Sequence, residues 1–215
     1  MNDYIIVLDT ETANSLEEPL AYDIGWLVVD VETRANLEKR SFAVKEIFLD
    51  KDLMNTAYYK EKIPNYWEEI WAKERELKSL YQIQKILKED CNNYSVDEIF
   101  AHNMNFDNRA LKVTQRYYTS SKYRYFLPYG VSVCDTLKMA RTALAKDKDY
   151  IKYCKKNGYI ASTGQVRLTA EIIYRYISHD ETFEEVHHGI DDVLIEKEIL
   201  FYCLNKGVTD YKLYE

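Results

Sequence analysis

The fold turns on the stretch Tyr4-Ile5-Ile6-Val7-Leu8-Asp9-Thr10-Glu11-Thr12. A short apolar run over 4–8, β-branched in part, leads into an acid. That reads as a buried central strand. Side chains alternate along a strand, so Asp9 and Glu11 project from one face at its end. Strand ends are where an α/β sheet presents ligands to a crevice. Two acids at this spacing are common, so the segment carries chemistry only if distant parts of the chain bring further groups to it.

Outward from this strand, Ile24–Val31 reads as a second strand and Lys39–Leu49 as a third, with short links that favour antiparallel hairpins. From Pro64 to about Leu87 the pattern is helical, with Trp67, Ile70, Trp71, Leu77, Leu80 and Leu87 recurring near every third or fourth position and Pro64 suited to the first turn. Val96–Ala101 is a fourth predicted strand, leading into His102-Asn103, and Asn105–Tyr117 a helix. Val131–Cys134 is a fifth strand, followed by a helix from Asp135 to about Ala145. Lys146–Gly164 reads as irregular and basic, and Arg167–Ile177 and Ile190–Leu204 as the last two helices. Without repeats or a boundary, three strands followed by helices alternating with strands predict one α/β domain over 1–215 with a mixed sheet.

The bulk properties narrow the function. The 215 residues are 47% hydrophobic and 30% charged, which fits a globular chain with a sizeable core. A net charge of −7 is the wrong sign for coating nucleic acid by bulk electrostatics. Any such contact must rely on a local basic patch and on recognition of an end. The four cysteines, Cys91, Cys134, Cys154 and Cys203, form no zinc or disulfide pattern and read as reduced, mostly buried thiols. The N-terminus lacks signal-peptide features and no stretch has the length of a membrane span, so a cytoplasmic protein without a membrane partner is expected.

Two further segments carry candidate chemistry. In His102-Asn103-Met104-Asn105-Phe106-Asp107, Asp107 falls in the first turn of a helix, where its charge is favoured. In His187-His188-Gly189-Ile190-Asp191-Asp192, residues five apart on one helix would lie about 140° apart, so His187 and Asp192 converge only if His187 precedes the helix. Gly189 permits such a bend. Pattern alone separates neither His187 from His188 nor Asp191 from Asp192. If folding unites the three segments, four carboxylates share one small space, and each raises the pKa of its neighbours. Divalent cations remove that conflict. With a histidine beside them, the group reads as a two-metal site with a proton acceptor, suited to cutting phosphodiesters.

Taken together, in this order and on these elements, the three motifs resemble those of the DEDDh exonucleases, the family related to the proofreading epsilon subunit of bacterial DNA polymerase III, RNase T and oligoribonuclease. The resemblance covers residues 3 to about 204. Cys134-Asp135-Thr136 is similar to the segment after the family's fifth strand. The resemblance implies a ribonuclease H-like α/β fold, a five-stranded mixed sheet flanked by helices. Family spacing selects His187 and Asp192 over their neighbours. By the same resemblance, Asp9 would bridge two Mg²⁺ or Mn²⁺ ions, Glu11 and Asp192 would complete the tighter site, and Asp107 would help hold the second ion. His187 would take the proton of the attacking water, and Thr10, Thr12, His102, Asn103 and Phe106 would bind substrate.

The implied reaction is 3′–5′ exonuclease action on single-stranded DNA or oligonucleotides, releasing nucleoside 5′-monophosphates. An RNA-directed member of the family is the alternative, and a non-catalytic module binding a nucleic-acid end or a replication protein is the other. The expected partner is a single-stranded 3′ end, DNA favoured over RNA. A homodimer stays open, because the family includes dimers and monomers. Only about ten residues follow the last predicted helix, which favours a free-standing nuclease, or one docked on a replication protein through another surface. The family often continues its first motif with Thr-Gly; here Ala13-Asn14 stand, and Asn tolerates the left-handed backbone that Gly would adopt. Arg116-Tyr117-Tyr118 and Lys122-Tyr123-Arg124-Tyr125-Phe126 interleave cations with aromatics, as single-strand surfaces do. Lys146, Lys148, Lys152, Lys155 and Lys156 form the clearest basic run, either a phosphate-tracking flap or a solvated loop.

Overall fold

A computed structural model describes residues 3–119, 125–185 and 187–214. Three long strands, β1 (Tyr4–Asn14), β2 (Pro19–Asp30) and β3 (Asn36–Val44), pair antiparallel in succession. Two short helices, α1 (Lys45–Phe48) and α2 (Lys51–Met54), and a 3₁₀ turn over Lys60–Lys62 lead to α3 (Ile63–Ala72). Then come β4 (Glu76–Lys78), α4 (Leu80–Asn93), β5 (Glu98–Ala101), α5 (Met104–Tyr118) and β6 (Ser132–Asp135). Helices α6 (Thr136–Leu144), α7 (Lys148–Asn157), α8 (Ala170–Ser178) and α9 (Gly189–Asn205) complete the chain. The strand order is β4-β3-β2-β1-β5-β6, with β5 parallel to β1, β6 to β5 and β4 to β3.

The mixed sheet is thus the expected one with a sixth, three-residue strand at its edge. The helical pattern over 64–87 had concealed it. Lys73 adopts the left-handed conformation, φ 63°, and ends α3. Ser79 then starts α4 with a capping box, its hydroxyl accepting from the Gln82 backbone N–H while the Gln82 side chain reaches back to Ser79. The chain between these two signals is free to pair with Phe42–Val44. The expected third strand likewise stops at Val44, and 45–48 is helical. The basic stretch 146–164, expected to be irregular, contains α7. Asp147 caps it through the backbone N–H groups of Asp149 and Tyr150, Gly158 ends it at φ 76°, and Tyr150 and Cys154, four apart, bury one face.

The parity of β1 sorts the core. Ile6 and Leu8 pack into a cluster supplied by α1–α5, while Ile5 and Val7 pack into another supplied by α6–α9. Each such fully buried aliphatic stabilises the fold by roughly 1.5–3 kcal/mol. The same alternation sends Asp9 and Glu11 toward α9 and Thr10 toward α5. Helix α9 is buried on nearly all sides, which is why its sequence lacks one apolar stripe. All four cysteines are buried and unpaired, as expected. Among the described residues no helix is long and apolar enough to cross a membrane.

Candidate active site

In the sheet, Asp9 lies opposite Gly25 of β2 and Glu11 opposite Asp23. Gly25 lets the start of α9 lie flush on the sheet. A Cβ there would stand 2.6 Å from the Ile190 nitrogen and 2.7 Å from the Gly189 carbonyl carbon. Asp23, fully buried, accepts a 3.0 Å hydrogen bond from the Gly189 backbone N–H and a 2.8 Å bond from the Tyr66 hydroxyl, and pairs with the buried Arg75 guanidinium. Arg75 Nε donates to Glu69 at 2.8 Å, and the other Glu69 oxygen lies 3.1 Å from His188 Nδ1. This chain of contacts crosses β2, α3, the α3–β4 turn and α9, and fixes how α9 begins.

The network separates the two histidines that sequence could not. His188 is buried against Glu69 and the edge of Tyr66. His187 turns the other way, into a groove, with its ring stacked on Tyr59 at 4.0 Å and 11°. The bend falls on His187 itself, at φ 55°, and not on Gly189 as expected. Gly189 instead allows close packing, since a Cβ there would sit 3.2 Å from the Gly25 nitrogen. Asp191 stays beside His188, 3.7 Å away, whereas Asp192 lines the groove. One ligand atom each from Glu11, His187 and Asp192 lie within 4.8 Å of one another. Asp9 lines the same groove.

Asp107 lies in the first turn of α5, buried and outside the groove lining, and accepts a 2.8 Å hydrogen bond from Thr10. Thr10 therefore holds Asp107 in place. His102 and Asn103 line the groove, but both ring nitrogens of His102 already have protein partners: Thr136 Oγ1 at 3.0 Å and the Leu168 carbonyl at 2.8 Å. Asn103 is exposed at φ 73°. Phe106 packs under Arg109, and neither it nor Thr12 lines the groove. Asn14 takes the left-handed conformation anticipated for it, φ 71°.

Burial and mutual repulsion dominate the electrostatics. Asp9 is pushed well above the usual carboxylate range by burial, then by Glu196, Asp107, Asp192 and Glu11. Burial, then Asp192, raises Glu11 to about 9; burial, then Glu185, raises Asp192 to about 8. Asp107 is raised to about 7 by burial, against the lowering hydrogen bond from Thr10, and Glu185 to about 7 by burial. Burial and Lys62 lower His187 to about 4. Such a set cannot ionise fully unaided. Buried Asp192 Oδ1 and Glu196 Oε2 also have no hydrogen-bond partner. Carboxylate oxygens with one imidazole, two of the oxygens unpartnered, fit hard divalent cations.

Sequence reading missed Glu185, Glu196 and Tyr59, and the Asp23–Arg75–Glu69 brace. Glu196 carried a signal, lying one helical turn beyond Asp192; Asp23 carried another, as an acid inside an apolar strand. The groove encloses about 1040 Å³, and its far wall bears Arg141, Lys146, Lys155 and Arg167, all exposed. The predicted basic run is thus divided, with Lys146 and Lys155 facing the groove while Lys148, Lys152 and Lys156 do not line it. The Arg116 segment is tied down elsewhere, Arg116 to Glu18 and Tyr118 to the Glu46 carbonyl. Of the second aromatic segment, Lys122, Tyr123 and Arg124 lie outside the described residues, and Phe126 is core.

No protein-family model matches the sequence, and no curated protein matches it. Solved structures do match. The cell-death related nuclease 4 (CRN-4) superposes with a TM-score of 0.57 at 13% identity, over 95% of this chain and 64% of that one. The nuclease domain of 3′hExo, a DEDDh family member bound to rAMP, gives 0.59 at 12% identity over 95% and 93%. E. coli Exonuclease I in complex with a 5cy-dT13 oligonucleotide gives 0.56 at 13% identity over 96% and 41%. The chain thus spans less than two thirds of the first and the third of these proteins. The likeness is one of fold: this chain has the ribonuclease H-like fold of the DEDDh-type exonucleases.

Proposed function

We propose that the chain is a divalent-metal-dependent 3′–5′ exonuclease that releases nucleoside 5′-monophosphates from single-stranded DNA or oligonucleotides. The observation that carries this is the convergence of Glu11, His187 and Asp192 within 4.8 Å at the acidic end of a groove whose other wall is basic. Asp9, Glu11, Asp107 and Asp192 would hold two Mg²⁺ or Mn²⁺ ions. When bound, such a pair stabilises charge on the attacking and leaving oxygens of an in-line displacement.

The side chains supply the rest. His187, with its pKa near 4, is neutral at physiological pH and has a ring nitrogen able to accept a proton. It takes that proton from the attacking water as the water oxygen bonds to phosphorus and the bond to the 3′ oxygen breaks; that oxygen leaves with the electron pair, on the shortened strand, and takes a proton from solvent to become its new 3′-hydroxyl. The Tyr59 stack fixes the ring plane, and Glu185, with Oε2 3.9 Å from His187 Nδ1, stabilises the imidazolium that forms. Arg141, Lys146, Lys155 and Arg167 receive backbone phosphates, giving an acidic protein a local track for an anionic strand. Asn103, exposed at the groove edge, is placed to meet the terminal nucleotide.

An RNA-directed reading has support of its own, because one structural neighbour is bound to rAMP. Matched 5′-labelled DNA and RNA single strands, incubated with Mn²⁺ or with EDTA, test both. We expect stepwise shortening from the 3′ end with Mn²⁺, none with EDTA, and faster loss of the DNA strand. Faster loss of the RNA would select the alternative. Tight end-binding without hydrolysis at any Mn²⁺ concentration would replace the enzyme with a binding module.

A further inference from the structure

Glu196 is the acid that the three motifs leave unexplained. It follows Asp192 by one turn of α9, so the two side chains share a helix face. Both residues line the groove with Asp9. Glu196 is 3% exposed, and its Oε2 has no hydrogen-bond partner. A buried carboxylate oxygen left unpartnered is costly, so it must either carry a proton or await a cation. The carboxylate has the His102 backbone N–H as a hydrogen-bond donor, and Asp107, Asp192 and Glu185 as like-charged neighbours.

Position separates Glu196 from the Glu11–His187–Asp192 group. No ligand atom of Glu196 belongs to that group, although the side chain lines the same groove as Asp9 and Asp192. Asp107 has one oxygen occupied by Thr10, which leaves it a limited share of any ion's coordination. Hard cations gather several oxygens, and Glu196 Oε2, with Asp192 Oδ1 one turn before it, is a buried carboxylate oxygen of this groove left without a partner. Resting on the nuclease reading above, we infer that Glu196 is a fifth carboxylate ligand of the cation pair.

The test is calorimetric titration of Mn²⁺ into the full chain without nucleic acid, with Glu196→Gln, Glu196→Asp and Asp9→Asn in parallel. The wild type should bind two ions. Glu196→Gln should weaken one of the two events at least ~10-fold, on the scale of lost metal-site support, and leave the other in place. It should also shrink the gain in melting temperature on adding Mn²⁺. Glu196→Asp, which keeps the charge but shortens the reach, should lie between. If Glu196→Gln leaves both affinities and the Mn²⁺-induced gain unchanged while Asp9→Asn abolishes binding, Glu196 is a neutral buried acid and the inference falls with the nuclease reading intact. If the wild type binds no Mn²⁺, both fall.

Discussion

The two walls of the groove are built in opposite ways. The acidic wall is buried and braced from behind. Its charges interact strongly, and burial makes each depend on the others. The basic wall consists of exposed side chains on α6 and α7 and in the loops after them, where each charge acts nearly alone and is screened by salt. One wall is suited to holding ions in fixed geometry, the other to holding a flexible polyanion at many registers. Substitutions on the acidic wall should therefore act on chemistry and stability together, and those on the basic wall on substrate capture alone.

The sharpest way to break this contrast is Asp9→Asn. We expect a loss in kcat on the order of 10³-fold, the scale set by losing a preorganised electrostatic group, with no fall in the metal-free melting temperature. His187→Gln should cost roughly 10²-fold in kcat, the lower range for removing an acid–base group, and leave Mn²⁺-dependent end binding in place. Steady-state kinetics of mononucleotide release reads both.

The brace behind the acidic wall is tested by Arg75→Met. It leaves Asp23 buried without its cation, so unfolding free energy should fall by about 3–5 kcal/mol. Urea denaturation would show it, and an unchanged midpoint would mean that Asp23 does not anchor α9. A gentler probe is pH. Burial pushes Glu11, Asp192 and Asp107 up to about 9, about 8 and about 7, from ordinary carboxylate values of 4.5, 3.8 and 3.8. Between those limits the folded chain binds more protons than the unfolded one, so metal-free stability must fall as pH rises from about 5 to about 9. Melting curves in EDTA should show that decline. Saturating Mn²⁺ should remove or reverse it, because cations favour the ionised carboxylates.

The smallest effects belong to the basic wall. Lys146→Ala, Lys155→Ala and Arg167→Ala should each raise KM several-fold and leave kcat alone. Each should also flatten the dependence of log affinity on log salt by about 0.7, the value for one phosphate contact on a single strand. A fall in kcat would place these residues in the chemistry and end the division between the walls.

Much of the acidic wall was legible because its signals are local. The alternation through Ile5, Val7, Asp9 and Glu11 fixes one face, and Ala13-Asn14 allows the left-handed turn that Asn14 adopts. The choice of His187 over His188 had no local basis. It is made by Asp23, Glu69 and Arg75, which come from separate segments and meet only in the folded state. Helix α7 and strand β4 were obscured for different reasons. The lysines of 146–156 drew attention from the Asp147 cap and Gly158 stop, and the aromatic periodicity over 67–87 ran across the Ser79 capping box.

The most direct measurement is an anomalous difference map from crystals soaked in Mn²⁺. Two peaks about 3.5–4 Å apart, lying among Asp9, Glu11, Asp107 and Asp192 with His187 beside them, are the expected result. An empty groove, or manganese bound only elsewhere on the surface, would contradict it.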